Sequence, residues 1–280
     1  MDTVGNISPQ DYDRFKLFLE QACGILLGEG KQYLITSRLT KLLRDEKIPS
    51  MSALLQAIEM RQPRHLRDAV IDAMTTNETS WFRDQSPFEI LAKDVFPELD
   101  SKGKRQYRIW SSACSSGQEP YTISIALSEY MTKVSSRGLD NVQIVATDIS
   151  TTMLATAKQA EYDESVLGRG LTADRKLQFF KPIGDRWRVA DDISRRVSFK
   201  EQNLLSTYAS LGKFDIIFCR NVLIYFSAER KSDILNRMAL ALNAGGYLFL
   251  GASETISGYT DVFEMIRSPY GVFYRLKSKD

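Results

Sequence analysis

A short loop of small residues, between a strand-like run and a helix-like run, has the composition of a nucleotide-binding turn. The strand-like run Gln106–Ser111 leads into Ser112–Glu119, and Pro120 then opens an apolar-periodic helix. A second strand-like run, Val142–Ala146, is followed by Asp148. Small side chains let backbone amides approach a ligand closely, and an acid after the next strand can accept hydrogen bonds from ribose hydroxyls. Asp148 is also a suitable helix cap, but its distance from the loop favours the ribose-binding role.

The same loop separates two classes of nucleotide cofactor. It lacks the G-x-G-x-x-G spacing that cradles a pyrophosphate, and a cofactor that carries a single nucleoside needs no such cradle. The sequence therefore favours S-adenosylmethionine (SAM) over NAD. For the loop taken alone, an ordinary strand-to-helix turn with Pro120 at the first helical position is an equally good interpretation.

Polar residues also follow a predicted buried strand farther along the chain. The run Phe214–Cys219, apolar except for Asp215, is typical of a parallel strand buried on both faces, and Arg220, Asn221 and Tyr225 lie at and beyond its carboxyl end. Ligands bind at this edge of open α/β sheets, so the group favours function, while a structural role for Arg220 alone stays open. Asn203 follows another predicted strand, where an adenine would lie, although asparagine in such a position is usually a turn residue.

The segment Thr76–Asp84 stands between a helical N-terminal part and the rest of the chain. It carries Asn77, Thr79 and Arg83 close together. Capping chemistry with two core aromatics explains the segment without a function. The cluster of amide, hydroxyl and guanidinium groups favours a polar or anionic ligand.

Four basic residues recur at intervals of three on the second predicted helix: Arg38, Lys41, Arg44 and Lys47. A solvated helix face is the default interpretation of such a stripe. A docking surface for an acidic partner helix is the functional alternative.

Composition limits the remaining chemistry. The 280 residues include 37 basic and 35 acidic side chains, so the net charge does not indicate a nucleic-acid binder. His65 is the only histidine, which removes most Ser-His, Cys-His and histidine–metal chemistry. The three cysteines lack C-x-x-C spacing, so we expect free thiols, a reducing compartment and no metal site. Without a signal-peptide pattern or an apolar run near the roughly 18 residues of a membrane span, we expect a cytoplasmic protein.

Periodicity predicts two different architectures along the chain. Residues 8 to about 75 carry apolar side chains at helical spacing in four segments, with Ser8 and Ser50 as predicted N-caps and Gly24 as the end of the first helix. From Phe88 onward strands and helices alternate, which predicts a parallel sheet. The predicted strands are Tyr107–Ser111, Val142–Thr147, Val197–Glu201, Phe214–Cys219 and Tyr247–Gly251, and the predicted helices between them are Tyr121–Tyr130, Thr151–Gln159 and Ala228–Leu242.

The last third of the chain contains three further signals. Asn243–Gly246 predicts a turn. Val262–Arg267 and Gly271–Leu276 predict a closing β-hairpin, which is typical of methyltransferases. The stretch Glu161–Arg196 is rich in Arg and Lys, and its alternation of Trp187 and Val189 with Arg186 and Arg188 predicts a small antiparallel insertion.

Six motifs follow one another along nearly the whole chain. They are N-E-T-x-x-F-R (Asn77 to Arg83), S-x-A-C-S-S-G-Q-E-P-Y (Ser111 to Tyr121), A-T-D-I-S (Ala146 to Ser150), N-L-L (Asn203 to Leu205), F-C-R-N-V-L-I-Y-F (Phe218 to Phe226) and S-P-Y-G-V-F-Y-R (Ser268 to Arg275). Together they resemble the CheR family of chemotaxis receptor glutamate methyltransferases.

This resemblance implies a fold and a division into domains. The fold is α/β, a Rossmann-like class I SAM-dependent methyltransferase domain with a small N-terminal all-helical domain and an inserted antiparallel β-subdomain. The implied domains are a receptor-contacting helical domain at 1–76, a linker at 77–87 that contributes to the cofactor site, and the methyltransferase domain at 88–280. The β-subdomain is expected at about 161–196.

The resemblance also implies a reaction and its residues. SAM would donate a methyl group to glutamate side chains on the cytoplasmic helices of a chemoreceptor, giving glutamyl methyl esters and S-adenosylhomocysteine. Arg83 and Tyr225 would be the catalytic residues, nearest the transferred methyl. The implied cofactor-binding residues are Asn77, Thr79, Arg83, Glu119, Asp148, Asn203, Leu204, Arg220 and Asn221.

Receptor recognition is implied at two places. The family's N-terminal domain meets the methylated helices with basic residues, which strengthens the docking interpretation of the Arg38–Lys47 stripe. In some members the β-subdomain grips a peptide at the receptor's C-terminus. The hairpin near Lys181–Trp187 is short by comparison, so tail-dependent and tail-independent recognition both stay open. No nucleic-acid partner or membrane insertion is implied.

Three alternatives remain on the sequence alone. A non-catalytic module could bind SAM or a receptor as a sensor or scaffold. A NAD-dependent oxidoreductase is less favoured, because the glycine fingerprint is absent and its tyrosine–lysine spacing occurs only at Tyr12 and Lys16. A nucleic-acid methyltransferase is disfavoured by the near-neutral charge and the absence of an N/D-P-P-Y tetrapeptide.

Overall fold

Residues 7–60, 63–135 and 138–278 are described by the computed structural model. The chain divides into two units. The first contains the residues up to Thr76 together with the short segment Tyr225–Arg230, and the second contains Asn77–Ile224 and the residues from Lys231 onward. Among the described residues, no helix combines the length and the apolar composition that a membrane crossing requires.

Four helices lie in the described part of the first unit: α1 (Pro9–Cys23), α2 (Gln32–Asp45), α3 (Met51–Glu59) and α4 (Arg64–Met74). Their ends confirm the predicted signals. Ser8 accepts a hydrogen bond from the amide of Asp11, Ser50 accepts one from Ala53, and Gly24 ends α1 in the left-handed conformation. Each helix buries one apolar face, because the apolar positions recur every three or four residues. The buried side chains include Phe15, Leu19, Leu39, Leu43, Leu55, Ile58, Leu66 and Val70.

Ten strands follow Thr76 in the described residues, and seven of them form one sheet. They are β1 (Tyr107–Ser111), β2 (Val142–Asp148), β3 (Glu161–Asp163), β4 (Phe180–Ile183), β5 (Arg186–Val189), β6 (Val197–Glu201), β7 (Phe214–Cys219), β8 (Leu242–Leu250), β9 (Phe263–Ser268) and β10 (Gly271–Leu276). The large sheet has the order β6-β2-β1-β7-β8-β10-β9. Strands β6, β2, β1, β7 and β8 are parallel, and β10 is antiparallel to both of its neighbours. The predicted parallel strands and the closing hairpin are confirmed.

The helices of this part of the chain are α5 (Ser86–Ile90), α6 (Phe96–Lys102), α7 (Gln118–Val134), α8 (Thr151–Gln159), α9 (Glu164–Leu167), α10 (Ala173–Phe179), α11 (Asp191–Ser194) and α12 (Ala228–Ala241). A π-helical turn, Leu91–Val95, joins α5 to α6. Phe218 of β7 stacks between Phe88 and Phe249, so the rings of α5, β7 and β8 form a continuous stack in the core. The core therefore fixes the strand whose carboxyl end carries Arg220.

The predicted turn at Asn243–Gly246 is wrong as a boundary, because β8 runs through it. Leu242 pairs with Phe214, and the next pair joins Tyr247 to Ile216, so the ladder absorbs the intervening residues as an irregularity. Turn residues are also the residues that accommodate a β-bulge. The turn residues therefore do mark an irregular backbone, but pairing with β7 makes it a bulge within β8 and not a turn before the strand.

The predicted insertion is confirmed as a separate antiparallel sheet. Its three strands have the order β3-β5-β4. Tyr162 of β3 pairs with Trp187 of β5, and Phe180 of β4 pairs with Val189. The inward side chains Tyr162, Phe180 and Val189 are buried and join the main core. The insertion is therefore packed into the second unit through its own aromatic residues.

Candidate functional site

Asp148 ties the loop after β1 to the start of α8. Its carboxylate accepts hydrogen bonds from the backbone amides of Ser115 (2.7 Å) and Ser150 (2.9 Å), and the residue is only 7% exposed. Bonds from amides to a charged acceptor are stronger than those to a neutral one. Asp148 therefore fixes the loop backbone, and it lies where the sequence predicts it, at the carboxyl end of β2 beside that loop.

Glu119 supplies a second carboxylate in the first turn of α7. One of its oxygens accepts a hydrogen bond from the Ser111 hydroxyl (2.7 Å), and the other faces the Arg220 guanidinium (3.0 Å). Burial raises the pKa of the Cys114 thiol well above its ordinary value, and the charges of Asp148 and Glu119 raise it further. The two carboxylates therefore lie close to Cys114 of the loop after β1.

Arg220 is a buried support. Its side chain is 1% exposed. Besides Glu119, its guanidinium contacts the Asp84 carboxylate (2.7 Å) and the backbone carbonyl of Arg83 (2.8 Å), and it lies over the Phe88 ring. These contacts connect the end of β7 to the start of α7 and to the segment that carries Arg83. The structure thus places Arg220 among protein groups, in agreement with the structural role that the sequence left open.

The segment that carries Asn77, Thr79 and Arg83 is attached to the loop after β1. The carbonyl of Asn77 accepts a hydrogen bond from the Ser115 hydroxyl (2.9 Å). Arg83 is half-buried and donates to the carbonyl of Glu78 (2.8 Å), while Thr79 is also half-buried. The positive φ angles of Phe82, Asp84 and Gln85 show that the backbone beside Arg83 takes an unfavourable conformation, which surrounding contacts must hold in place.

Asn203 and Leu204 form a turn after β6. The side-chain oxygen of Asn203 accepts a hydrogen bond from the amide of Leu205 (2.9 Å), and the Leu204 side chain is buried. The carbonyl of Asp148 accepts a hydrogen bond from the amide of Gln202 (2.9 Å), so the turn begins beside the site acid. Its local hydrogen bond is the ordinary turn chemistry of asparagine. Its position next to Asp148 is also the position predicted for the cofactor's base.

Asn221 follows Arg220 with a positive φ of 58°. A residue that the sequence analysis missed, Glu254, holds this conformation. Its carboxylate accepts hydrogen bonds from the amides of Asn221 (2.7 Å), Val222 (2.9 Å), Leu223 (2.7 Å), Ile224 (3.3 Å) and Gly251 (2.8 Å). The sequence did contain a signal for Glu254. It is an acid just beyond the end of β8, and the carboxyl ends of parallel strands lie at one edge of the sheet, so it could have been placed near the site.

Tyr225 belongs to the first unit in the structure. Its backbone carbonyl accepts a hydrogen bond from the amide of Leu26 (2.9 Å), and its side chain is half-buried. The catalytic assignment of Tyr225 remains a prediction. The other predicted residues lie in the second unit, and five of them form two bonded groups: Ser115 joins Asn77 to Asp148, and Arg220 joins Arg83 to Glu119.

The chemistry of these groups fits SAM. Ribose hydroxyls and an ammonium group are hydrogen-bond donors, and the carboxyl edge of β1 and β2 presents two carboxylates and a loop of small residues. Glycine at position 117, with a φ of 97°, keeps the loop backbone free of a side chain at its close approach to α8.

The fold and the site define a SAM-dependent methyltransferase of class I. A parallel sheet that ends in an antiparallel strand inserted between β8 and β9 distinguishes it from the NAD-binding dehydrogenase fold, in which the sheet is wholly parallel. An acid at the end of β2 and a small-residue loop after β1 complete the nucleoside-binding half. The predicted fold and cofactor are confirmed.

The chain belongs to the CheR methyltransferase family. Residues 77–272 match the family model described as CheR methyltransferase, SAM binding domain, and residues 10–75 match the CheR methyltransferase, all-alpha domain. The chain is 51% identical to "Chemotaxis protein methyltransferase Cher2" of Pseudomonas putida and 52% identical to a chemotaxis protein methyltransferase of Vibrio parahaemolyticus, each over 98% of this chain and 100% of the relative. It is 52% identical to "Chemotaxis protein methyltransferase 1" of Pseudomonas aeruginosa over 95% of this chain and 98% of the relative. Its function is therefore SAM-dependent receptor methylation in chemotaxis.

Proposed function

We propose that the product is a glutamyl methyl ester on the cytoplasmic helices of a chemoreceptor, and that the enzyme works in the cytoplasm. The observation that carries this proposal is the match to chemotaxis protein methyltransferases over nearly the full length of both chains. The two family domains that match, one SAM-binding and one all-helical, are the parts such a reaction needs. We further propose that the helical domain at 1–76 recognises the receptor, that the linker at 77–87 contributes to the cofactor site, and that 88–280 carries the reaction.

The site makes chemical sense for a carboxylate nucleophile. A glutamate side chain has a pKa of about 4.3 and is ionised at neutral pH, so its methylation needs no general base. The chain has one histidine, His65, and it lies in α4 of the first unit. The enzyme's task is alignment of two reactants and exclusion of water. A site built from carboxylates, amides and arginines is sufficient for this task.

We assign the roles of the site residues as follows. Asp148 and Glu119, with Asn77, Thr79 and Asn203, would hold the ribose and amino-acid parts of SAM, which supplies the methyl group as a positively charged sulfonium. Leu204 and Asn221 would border the same space, and Arg220 would keep the loop after β1 and the Arg83 segment in register.

Arg83 and Tyr225 would handle the carboxylate. The Arg83 side chain is half-buried with one backbone partner at 2.8 Å, so its planar fork has donors left for a carboxylate of substrate or cofactor. Tyr225 would donate to one carboxylate oxygen and orient the other.

Receptor docking would use exposed basic residues in and just beyond α2. Lys41 and Arg44 of α2 are exposed, and so is Lys47, which lies in the turn after the helix and not on it as predicted; the three would meet an acidic receptor helix. Arg38 does not share this role, because its guanidinium donates to the carbonyls of Met74 (2.6 Å) and Thr75 (3.1 Å) at the end of α4. Three of the four residues in the predicted stripe therefore remain candidates for docking.

The deciding experiment is transfer of labelled methyl from SAM to chemoreceptor-containing membranes, scored as methanol released by mild base. Base-labile label on receptor bands supports glutamyl ester formation, and base-stable label contradicts it. Asp148→Asn should abolish SAM binding and transfer, while Asp191→Asn, at a side chain that is 89% exposed, should change neither. Normal SAM binding without any transfer would favour a sensor over an enzyme.

The role of Arg83 and the docking surface are tested in the same assay. Arg83→Lys keeps the charge but removes the fork, so we expect a large loss of kcat with unchanged unfolding. Joint reversal of Lys41 and Arg44 to glutamate should raise the KM for receptor and leave the Kd for SAM unchanged. An unchanged KM for the receptor would contradict the docking role and show that Lys41 and Arg44 belong to an ordinary solvated surface.

A further inference from the structure

Tyr162 reaches from the inserted sheet into the loop after β1. It lies on β3, is 2% exposed, and its hydroxyl donates a hydrogen bond to the carbonyl of Ser116 (2.7 Å). A Cβ at Gly117 would lie 2.9 Å from the same hydroxyl, so the loop backbone passes directly against it. The insertion therefore supplies a hydrogen bond to the loop that Asp148 holds from the other side.

The ring of Tyr162 also supports the segment that carries Arg83. Trp81, two residues before Arg83, is fully buried between Tyr162 and Phe180, with both ring pairs edge-to-face at 5.0 Å. Such aromatic pairs fix the relative orientation of their rings. The part of the segment around Trp81 is thereby packed on two strands of the inserted sheet.

A backbone contact reinforces this packing. The amide of Trp81 donates to the carbonyl of Arg169 (3.0 Å), in the connection after α9. At Gly170, with a φ of 98°, a Cβ would lie 2.0 Å from the Trp81 carbonyl oxygen, so only glycine allows the two backbone segments to approach this closely. The exposed ion pair of Arg169 and Glu78 (2.7 Å) adds little, because solvent screens it. The insertion is thus bonded to the Arg83 segment as well as to the loop.

We propose that Tyr162 is a positioning residue for methyl transfer, through which the inserted sheet aligns the cofactor loop by its hydroxyl and the Arg83 segment by its ring. The proposal rests on the assignment of the loop after β1 to SAM. It gives the insertion a role in the reaction itself, separate from any contact with a receptor. The Tyr162 hydroxyl remains a donor at neutral pH, because burial raises its pKa well above the ordinary value.

Tyr162→Phe tests the hydroxyl and keeps the ring. We expect roughly a tenfold rise in the Kd and KM for SAM, because the Ser116 carbonyl loses its donor and the loop samples other conformations. The receptor KM should not change. The matched control is Tyr121→Phe, which removes an equally buried hydroxyl that donates to the Ala157 carbonyl of α8 (2.8 Å). It should lower stability to a similar extent and leave the Kd for SAM unchanged.

Trp81→Phe tests the second connection without removing a hydrogen bond, because the indole N–H has no partner in the structure. We expect a fall in kcat of at least several-fold, with a smaller change in the Kd for SAM than Tyr162→Phe causes. This variant also keeps the proposal testable if Tyr162→Phe folds poorly. Unfolding midpoints of all variants are measured alongside, since a purely structural role would lower stability and leave Kd, KM and kcat of the folded protein unchanged.

The outcomes separate this proposal from the site assignment. Loss of SAM binding in Asp148→Asn, with normal Kd and kcat in Tyr162→Phe and Trp81→Phe, would overturn the positioning role and leave the site intact. Normal SAM binding in Asp148→Asn would overturn both. A raised Kd in Tyr162→Phe that Tyr121→Phe does not show supports the proposal.

Discussion

The buried guanidinium of Arg220 allows a quantitative test of how the site is held together. We consider Arg220→Met, which keeps much of the side-chain volume and removes the charge. Three contacts disappear, to the Glu119 carboxylate (3.0 Å), the Asp84 carboxylate (2.7 Å) and the Arg83 carbonyl (2.8 Å). The substitution therefore leaves a buried carboxylate at Glu119 without a counter-ion.

Removing one partner of a buried ion pair costs about 3–5 kcal/mol, because the remaining charge stays desolvated. The lower end applies to Arg220→Met. Glu119 is 13% exposed and has no easy route to water, but the Asp84 side chain is 35% exposed and can rehydrate. We therefore expect a loss of about 3 kcal/mol. With a urea m-value of about 2–3 kcal/mol/M, the midpoint falls by roughly 1–1.5 M.

A double-mutant cycle with Glu119→Gln isolates the pair. The double variant leaves no unpaired charge at Glu119, so it should lose about 2 kcal/mol less than the sum of the single variants. Lys102→Met is the control, because both partners of its ion pair with Glu98 (2.6 Å) reach solvent, Lys102 at 50% and Glu98 at 35% exposure. That loss should stay within about 1 kcal/mol. Additive effects of Arg220→Met and Glu119→Gln, within about 0.5 kcal/mol, would refute the buried-pair account.

Three further predictions concern other parts of the chain. Arg38→Ala should destabilise the first unit by about 1–3 kcal/mol in urea unfolding, because the carbonyls at the end of α4 lose the hydrogen bonds that Arg38 donates, whereas Lys41→Ala should have no measurable effect. Glu254→Gln should raise the Kd for SAM and lower the free energy of unfolding by about 2 kcal/mol, because a neutral amide replaces a carboxylate that accepts hydrogen bonds from five backbone amides. An unchanged Kd would show that Glu254 does not support the SAM site. Burial raises the pKa of the Cys114 and Cys219 thiols above their unfolded values, so the folded state keeps protons that the unfolded state loses. Unfolding free energy should therefore fall as pH rises above about 8.5, by up to about 1.4 kcal/mol per pH unit and thiol, and a flat profile between pH 8 and 10 would contradict the burial.

The strands and their order along the chain were predictable because their signals are local. Phe214–Cys219 is apolar except for Asp215, and all of its residues are buried in the sheet. The helix ends at Ser8 and Gly24 follow from the backbone needs of single residues. The position of Asp148 was also predictable from the sequence, since an acid at the end of an apolar strand must lie at the carboxyl edge of the sheet.

The supports of the site were not predictable, because they depend on residues far apart in the sequence. Glu254 accepts from amides about thirty positions earlier, and Tyr162 meets Ser116 across the gap between two sheets. Neither residue has a local pattern that differs from an ordinary turn or strand residue. The bulge at Asn243–Gly246 has the same cause, since only the pairing with β7 decides between a turn and an irregular strand.

A sequence motif does not distinguish a residue that contacts the ligand from a residue that only positions its neighbours. Arg83 and Arg220 both belong to motifs of the family, and both are arginines beside the same loop. Arg220 is buried with three protein acceptors, whereas Arg83 is half-buried with one backbone acceptor. A guanidinium that already contacts two carboxylates has little left to gain from an anionic ligand, whereas the half-buried Arg83 guanidinium, with a backbone hydrogen bond to Glu78, is the better candidate to bind one. We therefore propose Arg83, and not Arg220, as the arginine that binds a carboxylate, on the basis of partners and burial that only the folded chain defines.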